Sequence, residues 1–405
     1  MSKTIYAIGT LDSKGSEMNW LCQRLKEQSQ HVVMVDVGTL SSPVTEPDIT
    51  REQVLGRVDL PKSGHRGDNI RVMGEALRSF LLREVEAERV GGVIGIGGSG
   101  GTSLITTAMR SLPIGLPKLM VSTVASGNTA PYIDCSDITM MYSVVDVAGL
   151  NVVSKAILSN AANAISGMVA HHHAIHASKA TLGMTMFGVT TPCVTQVREA
   201  LEKDNYDCLV FHATGTGGRA MERLVASDLI QGVIDITATE VADEIAGGIF
   251  PAGKERYDIL LEKEVPLVLS LGAIDMVNFG NIKSVPESYQ NRNLHVHNPQ
   301  VTLMRTNVDE NIKIAKWIAK KLNQSRSPWT LLFPEKGVSS LSVKGQPFHD
   351  PEADQACMDT LEAELEINSD RKIIKVQDEI NSSDFASQVV TEFKSLVSKS
   401  GGLAR

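Results

Sequence analysis

Short apolar runs rich in Val and Ile alternate with longer amphipathic segments along the chain. Such runs are typical of strands in a parallel sheet, and the segments between them are typical of crossover helices. In the first part of the chain the pattern predicts strands at Thr4–Gly9, His31–Val37, Gly92–Ile96, Lys118–Thr123 and Ile138–Ser143. It predicts helices at Ser16–Gln28, Asn69–Glu88 and Thr102–Ser111, and one long helix at Asn151–Ser178.

The same alternation restarts after the long helix. Predicted strands follow at Thr181–Phe187, Cys208–Ala213, Gly232–Thr237, Pro266–Ser270, Gln300–Arg305 and Trp329–Phe333. Predicted helices follow at Thr195–Lys203, Gly218–Ser227, Asp309–Leu322 and Ser383–Ser398. This order predicts an α/β protein with two Rossmann-like, doubly wound domains, residues 1–180 and 181–405, each with a mainly parallel sheet. No low-complexity linker separates them, so we expect the domains to pack around a shared cleft.

Composition narrows the class of protein. A chain of 405 residues is long enough for two domains. A net charge of −8 argues against general binding to nucleic acid or to an anionic membrane surface. No apolar stretch approaches the ~20 residues of a membrane span, and no signal region is seen at the start. The five cysteines lack disulfide or zinc spacing, so we expect a cytoplasmic protein with reduced thiols.

A glycine-rich turn follows the third predicted strand and opens a helix. Glycines let the backbone approach an anion, and the N–H groups of the helix N-terminus favour negative charge. The turn formally matches the dinucleotide fingerprint, but the next strand ends in Ser and Thr, without the acidic residue that holds a ribose. We therefore predict an anion site at Gly97, Gly98, Ser99, Gly100, Gly101 and Thr102, together with Thr123, Ser126 and Gly127. The alternative is that these glycines only allow close packing of helix on strand.

A second glycine-rich turn follows the predicted strand Cys208–Ala213. Its candidate phosphate ligands are Thr214, Gly215, Thr216, Gly217, Gly218 and Arg219. Arginine can pair bidentately with phosphate or carboxylate, and at a helix N-terminus it opposes the dipole unless an anion is present. The alternative is an exposed arginine whose charge is solvated. Neither turn has the Gly-Lys-Ser/Thr sequence of the Walker phosphate loop.

Charged residues after other strands could complete a nucleotide site. Asp12 and Lys14 follow the first strand, where a doubly wound sheet binds ligands, although Asp12 could equally cap a helix. Glu240, with Asp243 and Glu244 beside it, is the best local candidate for holding Mg²⁺ with phosphate oxygens. Such acids are also common in the first turn of a helix because they match its dipole.

Three other features leave their roles open. The polar segment Thr39–Arg66 is long for a compact domain and could be a lid or a surface excursion. His172 and His176 share a helix face but lack an evident third metal ligand. His212 and His295 are weak acid–base candidates, because no recognisable nucleophile accompanies them.

Five ordered motifs carry a family resemblance that covers essentially the whole chain. They are Gly9–Glu17, Gly97–Thr102, Ser122–Gly127, Phe211–Glu222 and Phe348–Asp354. Together they resemble a widespread bacterial and fungal family of uncharacterised proteins, related to the N-terminal inhibitory domain of the tomato mosaic virus resistance protein.

The resemblance implies two Rossmann-like subdomains and, by analogy with the plant member, binding of ATP with Mg²⁺ near the cleft between them. Inhibition of a viral replication protein belongs to the plant protein's own surface and is not expected here. The plant protein also carries a C-terminal barrel-like domain that resembles a phosphoenolpyruvate-hydrolase family. The resemblance therefore implies a separate partner enzyme of that kind.

These observations favour a protein that binds ATP through its glycine-rich turns at an interdomain cleft, and leave open whether it is an enzyme that consumes ATP. Two alternatives remain at this point. One is a non-catalytic nucleotide sensor or assembly subunit, and the other is an enzyme that acts on a phosphorylated or carboxylated metabolite without ATP. A homo-oligomer is also compatible with the sequence.

Overall fold

The structure is a computed structural model that describes residues 4–61, 65–173, 178–400 and 402–403. In this part the strands are β1 Thr4–Gly9, β2 Val32–Asp36, β3 Val90–Gly97, β4 Lys118–Ser122, β5 Thr139–Tyr142, β6 Thr181–Met186, β7 Asp207–His212, β8 Gly232–Thr237, β9 Leu267–Gly272, β10 Met276–Phe279, β11 Leu294–Asn298, β12 Val301–Arg305, β13 Trp329–Pro334 and β14 Arg371–Val376.

The α-helices of the same residues are α1 Leu11–Glu27, α2 Arg51–Leu55, α3 Arg66–Glu86, α4 Ser99–Met109, α5 Ala130–Ile133, α6 Val152–Ala170, α7 Thr191–Lys203, α8 Thr216–Ala226, α9 Thr239–Ala246, α10 Asp258–Glu262, α11 Val308–Leu322, α12 Pro351–Glu364 and α13 Ser383–Lys399. The chain divides into two units, Met1–Ile175 and His176–Arg405.

The first unit is a parallel sheet with helices on both faces. Its described strands lie in the order β2-β1-β3-β4-β5, and every neighbouring pair is parallel. Successive side chains of a strand point to opposite faces, so Ile5 and Ala7 pack with α1 and α6, whereas Tyr6 and Ile8 pack with α3 and α4. This two-sided burial explains why β3 is apolar and buried throughout.

The second unit repeats this arrangement. Among the described residues its main sheet has the order β14-β13-β9-β8-β6-β7, again with parallel neighbours. If the strands of this sheet are numbered in chain order from β6, leaving out the separate sheet of β10, β11 and β12, their order is that of the first unit. One further strand, β14, lies at the edge. The predicted fold class, two Rossmann-like α/β domains with mainly parallel sheets, is confirmed.

The sequence pattern placed some elements incorrectly. The predicted strand Gln300–Arg305 exists as β12, but it pairs antiparallel with β10 and β11 in a small separate sheet. The pairing partner of a strand depends on contacts that its own periodicity does not encode. His295 lies within β11, which was not predicted.

Several helices begin earlier than predicted. α1 begins at Leu11, where the prediction has Ser16, and α4 begins at Ser99, where it has Thr102. These first turns contain Asp, Ser and Gly, so no apolar periodicity marks them. As a result Asp12 and Lys14 belong to a helix N-terminus. The long predicted helix ends at Ala170, and residues 174–177, with His176, lie outside the described residues.

Candidate functional site

A cavity of about 390 Å³ lies at the carboxyl edge of the first unit's sheet. The strand order reverses between β1 and β3, and open α/β sheets bind their ligands in the crevice at such a point. The lining residues all belong to the first unit and are Thr10, Asp12, Ser13, Lys14, Thr39, Leu40, Arg66, Ile70, Gly98, Ser99, Gly100, Gly101, Leu104, Thr123 and Asp146. The turns after β1 and β3 therefore form one site.

The N-terminus of α4 supplies main-chain donors to this cavity. Its first helical hydrogen bond runs from the N–H of Thr102 to the carbonyl of Gly98, at 2.8 Å. Within the described chain, the N–H groups of Ser99, Gly100 and Gly101 donate to no protein acceptor, and Gly98 has no side chain to cap them. These donors lie at the positive end of the helix dipole. The wall of the cavity is thus suited to an anion.

Two other helices begin at the same cavity. α1 starts directly after Thr10, and α3 starts at Arg66, so the N-terminal dipole ends of three helices converge there. The buried Asp36 at the end of β2 accepts from the N–H groups of Leu11 at 3.0 Å and Gly38 at 2.8 Å. Asp36 therefore holds the turn around the site and is unavailable to a ligand.

Four charged side chains line the cavity. Lys14 donates through Nζ to the carbonyl of Val147, and Asp12 accepts through Oδ2 from the N–H of Leu40 at 3.0 Å. Arg66 and Asp146 are exposed and make no ion pair or side-chain hydrogen bond with any described residue. A methyl group built on Gly100 would lie 3.6 Å from the Arg66 guanidinium, which places that cation beside the free amides.

The segment Thr39–Arg66 borders the cavity through Thr39, Leu40 and Arg66. Its first half is fastened to the unit: the N–H of Val44 donates to the carbonyl of Leu11 at 3.0 Å. Ile49 also forms an isolated parallel bridge with β2. The described first half of the segment is thus attached to the unit by main-chain hydrogen bonds, while Leu40 and Val44 stay exposed.

Some predicted members of the first site serve the fold. Thr102 is fully buried, and its hydroxyl lies 2.6 Å from Ser122 Oγ and 3.3 Å from the Gly97 carbonyl. It therefore ties α4 to β3 and β4 and does not face the cavity. Ser126 and Gly127 are exposed in the turn after β4 and are absent from the lining.

The second glycine-rich turn departs from the prediction because the protein supplies its own anion. Oε1 of Glu240 accepts from the N–H of Gly215 at 2.8 Å and from that of Gly218 at 3.0 Å. Two of the amides assigned to phosphate at this turn are thus bonded to a carboxylate from α9. Thr214, Thr216 and Arg219 lie in the second unit and do not line the cavity described above.

Glu240 belongs to a buried cluster of charges centred on Arg256. The guanidinium contacts Glu222 at 2.6 Å, Asp235 at 2.6 Å and Glu240 at 3.1 Å. Burial raises the pKa of Glu222, and the three carboxylates together raise that of Arg256 despite its burial. Because both oxygens of Glu240 have partners and its side chain is 1% exposed, the structure corrects its assignment as a magnesium ligand.

The glycines of the second turn are needed for packing. A Cβ on Gly217 would lie 1.9 Å from the His212 carbonyl oxygen, and one on Gly218 would lie 2.1 Å from Glu240 Oε2. The close packing that the sequence analysis considered for the first turn therefore accounts for the glycines of the second. At Gly98 the nearest atom to such a Cβ is Thr123 Oγ1 at 3.8 Å, so the first turn has open space beside it.

The described histidines belong to no group of side chains that could hold a metal ion. Among residues 4–61, 65–173, 178–400 and 402–403, no group of three or more His, Cys, Asp or Glu side chains could hold a metal ion. His172 lies with Nε2 3.2 Å from the carbonyl of Gly115. His212 is exposed, and its ring packs at a tilt against that of Phe187, with ring centroids 5.3 Å apart.

Sequence reasoning missed Arg66 and Asp146 as site residues. One available signal was an arginine at a helix N-terminus, which is unfavourable to the dipole unless an anion is near. That argument was applied to Arg219, but the predicted start of α3 at Asn69 hid the same situation at Arg66. Asp146 carried no local signal, because it lies in a loop between β5 and α6.

Comparison with known proteins gives the family. Two family models, described as the N-terminal and C-terminal domains of the uncharacterised protein family UPF0261, match residues 3–174 and 179–397. The chain belongs to the UPF0261 family. A UPF0261 protein of Rhizobium meliloti is 48% identical over 97% of this chain and 99% of its own length.

The ToMV resistance protein Tm-1 of Solanum lycopersicum is 44% identical over 98% of this chain, which spans 56% of that longer protein. The predicted resemblance is therefore confirmed. Among solved structures, the UDP-GlcNAc 2-epimerase of Methanocaldococcus jannaschii is similar over 99% of this chain and 94% of its own, at 9% identity and a TM-score of 0.23. A likeness at this level carries no argument about function. No described helix of this UPF0261 protein is long and apolar enough to cross a membrane.

Proposed function

We propose that this UPF0261 protein binds ATP, with the phosphates held in the cavity at the carboxyl edge of the first sheet. One observation carries the proposal: the unpaired N–H groups of Ser99, Gly100 and Gly101 line a cavity that also contains Lys14 and Arg66. Main-chain donors at a helix N-terminus, together with a lysine and a forked guanidinium, are the groups that proteins use to bind phosphate.

The size and the remaining lining are compatible with a nucleotide. A volume of about 390 Å³ lies within the ordinary range of small-ligand sites. Leu40, Ile70 and Leu104 add apolar surface against which a base or sugar could pack. ATP, as opposed to another phosphorylated ligand, is favoured by the family resemblance given by the sequence motifs.

Magnesium would enter with the nucleotide. Mg²⁺ usually takes one or two carboxylates and completes its shell with phosphate oxygens and water. Asp12 and Asp146 are the carboxylates among the described lining residues, and the side chain of Asp146 makes no ion pair or hydrogen bond with a described residue. We assign them the metal-binding role that the sequence had suggested for Glu240.

The cellular setting stays a proposal as well. The described cysteines are free thiols, as expected for a cytoplasmic protein.

The chain spans 56% of the tomato relative. A separate partner enzyme resembling the barrel-like part of the plant protein, and a homo-oligomer, remain proposals that the same purified protein can test.

Calorimetry with ATP and Mg²⁺ tests the binding proposal. Gly98→Val is the sharpest variant, because Gly98 has the extended torsions φ −75° and ψ −167° and a Cβ there meets no atom closer than 3.8 Å. We expect a folded variant whose affinity for ATP falls at least about tenfold. Gly127→Val, in an exposed turn outside the cavity, is the matched control and should bind like the wild type.

Two results would refute the site. If the wild-type protein shows no saturable heat with ATP at about 1 mM, the proposal that it binds ATP is wrong. If folded Gly98→Val binds ATP with unchanged affinity, the proposed location of the phosphates is wrong.

Arg66→Ala should weaken ATP binding more than adenosine binding, because Arg66 is proposed to contact the phosphates. Chromatography of the nucleotide after incubation then distinguishes an ATP-consuming enzyme from a sensor.

A further inference from the structure

A second concave surface of the first unit lies between α2 and α3, and we infer that it docks an acidic amphipathic helix of a partner protein. This groove has a volume of about 560 Å³. It shares no lining residue with the proposed nucleotide site. The inference is therefore independent of the proposed function.

The floor of the groove is apolar. Val54, Leu55 and Val58 contribute from α2 and the turn after it, and Val72 and Ala76 contribute from α3. Val58 is 50% exposed, which costs free energy in water and would be recovered if an apolar side chain covered it. The lining of α3 extends from residue 71 to residue 83, about 18 Å along the helix axis or a little over three turns.

The rim of the groove is positive. Arg57, Arg71 and Arg83 line it, are exposed, and make no ion pair or side-chain hydrogen bond with any residue in the described part of the chain. Glu75, the acidic residue in the lining, lies 3.3 Å from Arg78. Three arginines and one glutamate among the described lining residues make the groove positive, in contrast with the net charge of −8 of the whole chain.

Charge and shape together select the occupant. A helix lying in a groove of this length presents apolar side chains at i, i+3 or i+4, and i+7 to the floor. Acidic side chains on its flanks would meet the arginine rim, which steers association and sets the orientation. Nucleic acid fits less well, because the described residues that line the groove include no aromatic side chain to stack with bases and the floor is apolar.

The test uses the full-length protein and a fluorescein-labelled helical peptide of about 18 residues. The peptide has leucines on one face and glutamates on the other positions, and fluorescence anisotropy measures its binding. We expect saturable binding that weakens at about 0.5 M salt because the charges are exposed. Arg71→Glu/Arg83→Glu should weaken it at least about tenfold.

Two further variants separate the groove from overall charge. Lys316→Glu/Lys320→Glu makes the same change in net charge on the exposed face of α11 and should leave peptide binding unchanged. Val58→Asp places a carboxylate on the floor without touching the arginines and should also weaken binding. Circular dichroism checks that each variant is folded.

Three outcomes would overturn the inference. The first is no saturation by the acidic peptide at about 1 mM. The second is equal or tighter binding of the same peptide with lysine in place of glutamate, which would point to a different class of partner. The third is wild-type affinity in folded Arg71→Glu/Arg83→Glu. ATP binding should be unaffected in this variant, so failure of the groove and failure of the nucleotide site are distinguishable.

Discussion

At the scale of single residues, Asp275 shows how burial changes a carboxyl group. It is completely buried, its Oδ2 accepts from Ser339 Oγ at 2.7 Å, and its Oδ1 has no partner within the described part of the molecule. Burial raises its pKa from 3.8 to about 7, although Arg305 opposes the change. Between about pH 4 and pH 7, the folded state therefore keeps a proton on Asp275 that the unfolded chain releases.

This shift predicts a pH-dependent effect of Asp275→Asn. The stability contributed by the raised pKa is fully present below pH 4 and is lost as pH rises through about 7. At pH 8 the wild type therefore carries a buried charge that destabilises the folded state. The neutral variant should then be more stable than the wild type at pH 8, by at most about 4 kcal/mol, and the difference should shrink at pH 5. Urea denaturation at both pH values measures it. A difference that does not depend on pH would contradict the shift.

Val144, two residues before Asp146 of the proposed site, has a strained backbone. Its φ is +64°, a region that β-branched residues rarely occupy, and the N–H of Val145 donates to the Ser143 carbonyl at 2.7 Å across it. Glycine adopts such torsions freely, so Val144→Gly should raise the free energy of unfolding by about 1 kcal/mol. Val145→Gly, whose φ is negative, is the control and should lower it. A lower urea midpoint for Val144→Gly would contradict the strain.

At the scale of elements, the Arg256 cluster joins α8, β8 and α9. Removing its cation in Arg256→Met leaves Glu222, Asp235 and Glu240 buried without their shared partner. Breaking such an interaction costs about 3–5 kcal/mol. The pKa of Glu222 is already raised by burial and should rise further, so the loss should be greater at pH 8 than at pH 5.

Urea denaturation at the two pH values measures this loss. Arg198→Met is the control, because its surface contact with Glu202 is 3.5 Å long and should contribute less than about 1 kcal/mol. If both variants lose the same stability at both pH values, the cluster does not hold α8 and α9 as described.

At the scale of the whole molecule, each unit has its own cores. The hydrophobic clusters of described residues fall entirely within Met1–Ile175 or entirely within His176–Arg405. The lining of the proposed nucleotide site also comes from the first unit alone. We therefore predict that a fragment of residues 1–175 folds cooperatively and binds ATP with an affinity within about tenfold of the full chain.

Circular dichroism during thermal unfolding and calorimetry check this prediction. The fragment of residues 176–405 is the control and should bind no ATP, because the amides of Gly215 and Gly218 already hold Glu240. A folded first fragment without ATP affinity would instead favour the interdomain site expected from the sequence.

Much of the fold could be predicted from local patterns. The runs Thr4–Gly9 and Gly232–Thr237 coincide with β1 and β8, because strands buried on both faces are apolar throughout. The edge strand β14, Arg371–Val376, was missed because its exposed position admits Arg and Lys and interrupts the apolar run. Helix starts were missed for the related reason that their first turns are polar.

The candidate site was predicted in part. Gly98, Ser99, Gly100 and Gly101 line the cavity as predicted, because a glycine-rich turn between a strand and a helix can leave free amides at the helix N-terminus. Arg66 could not be assigned with them, because only the pairing of β1 with β3 brings α3 to the same edge of the sheet.

By itself, the sequence determined most strands, most helices, the fold class and the existence of two glycine-rich turns, since backbone torsions and side-chain periodicity are local properties. Only the tertiary structure decided which turn is open to a ligand. Glu240, more than twenty residues beyond the second turn, fills that turn with a carboxylate, whereas the first turn faces a cavity. Two similar turns differ because charge and burial depend on neighbours that are distant along the chain.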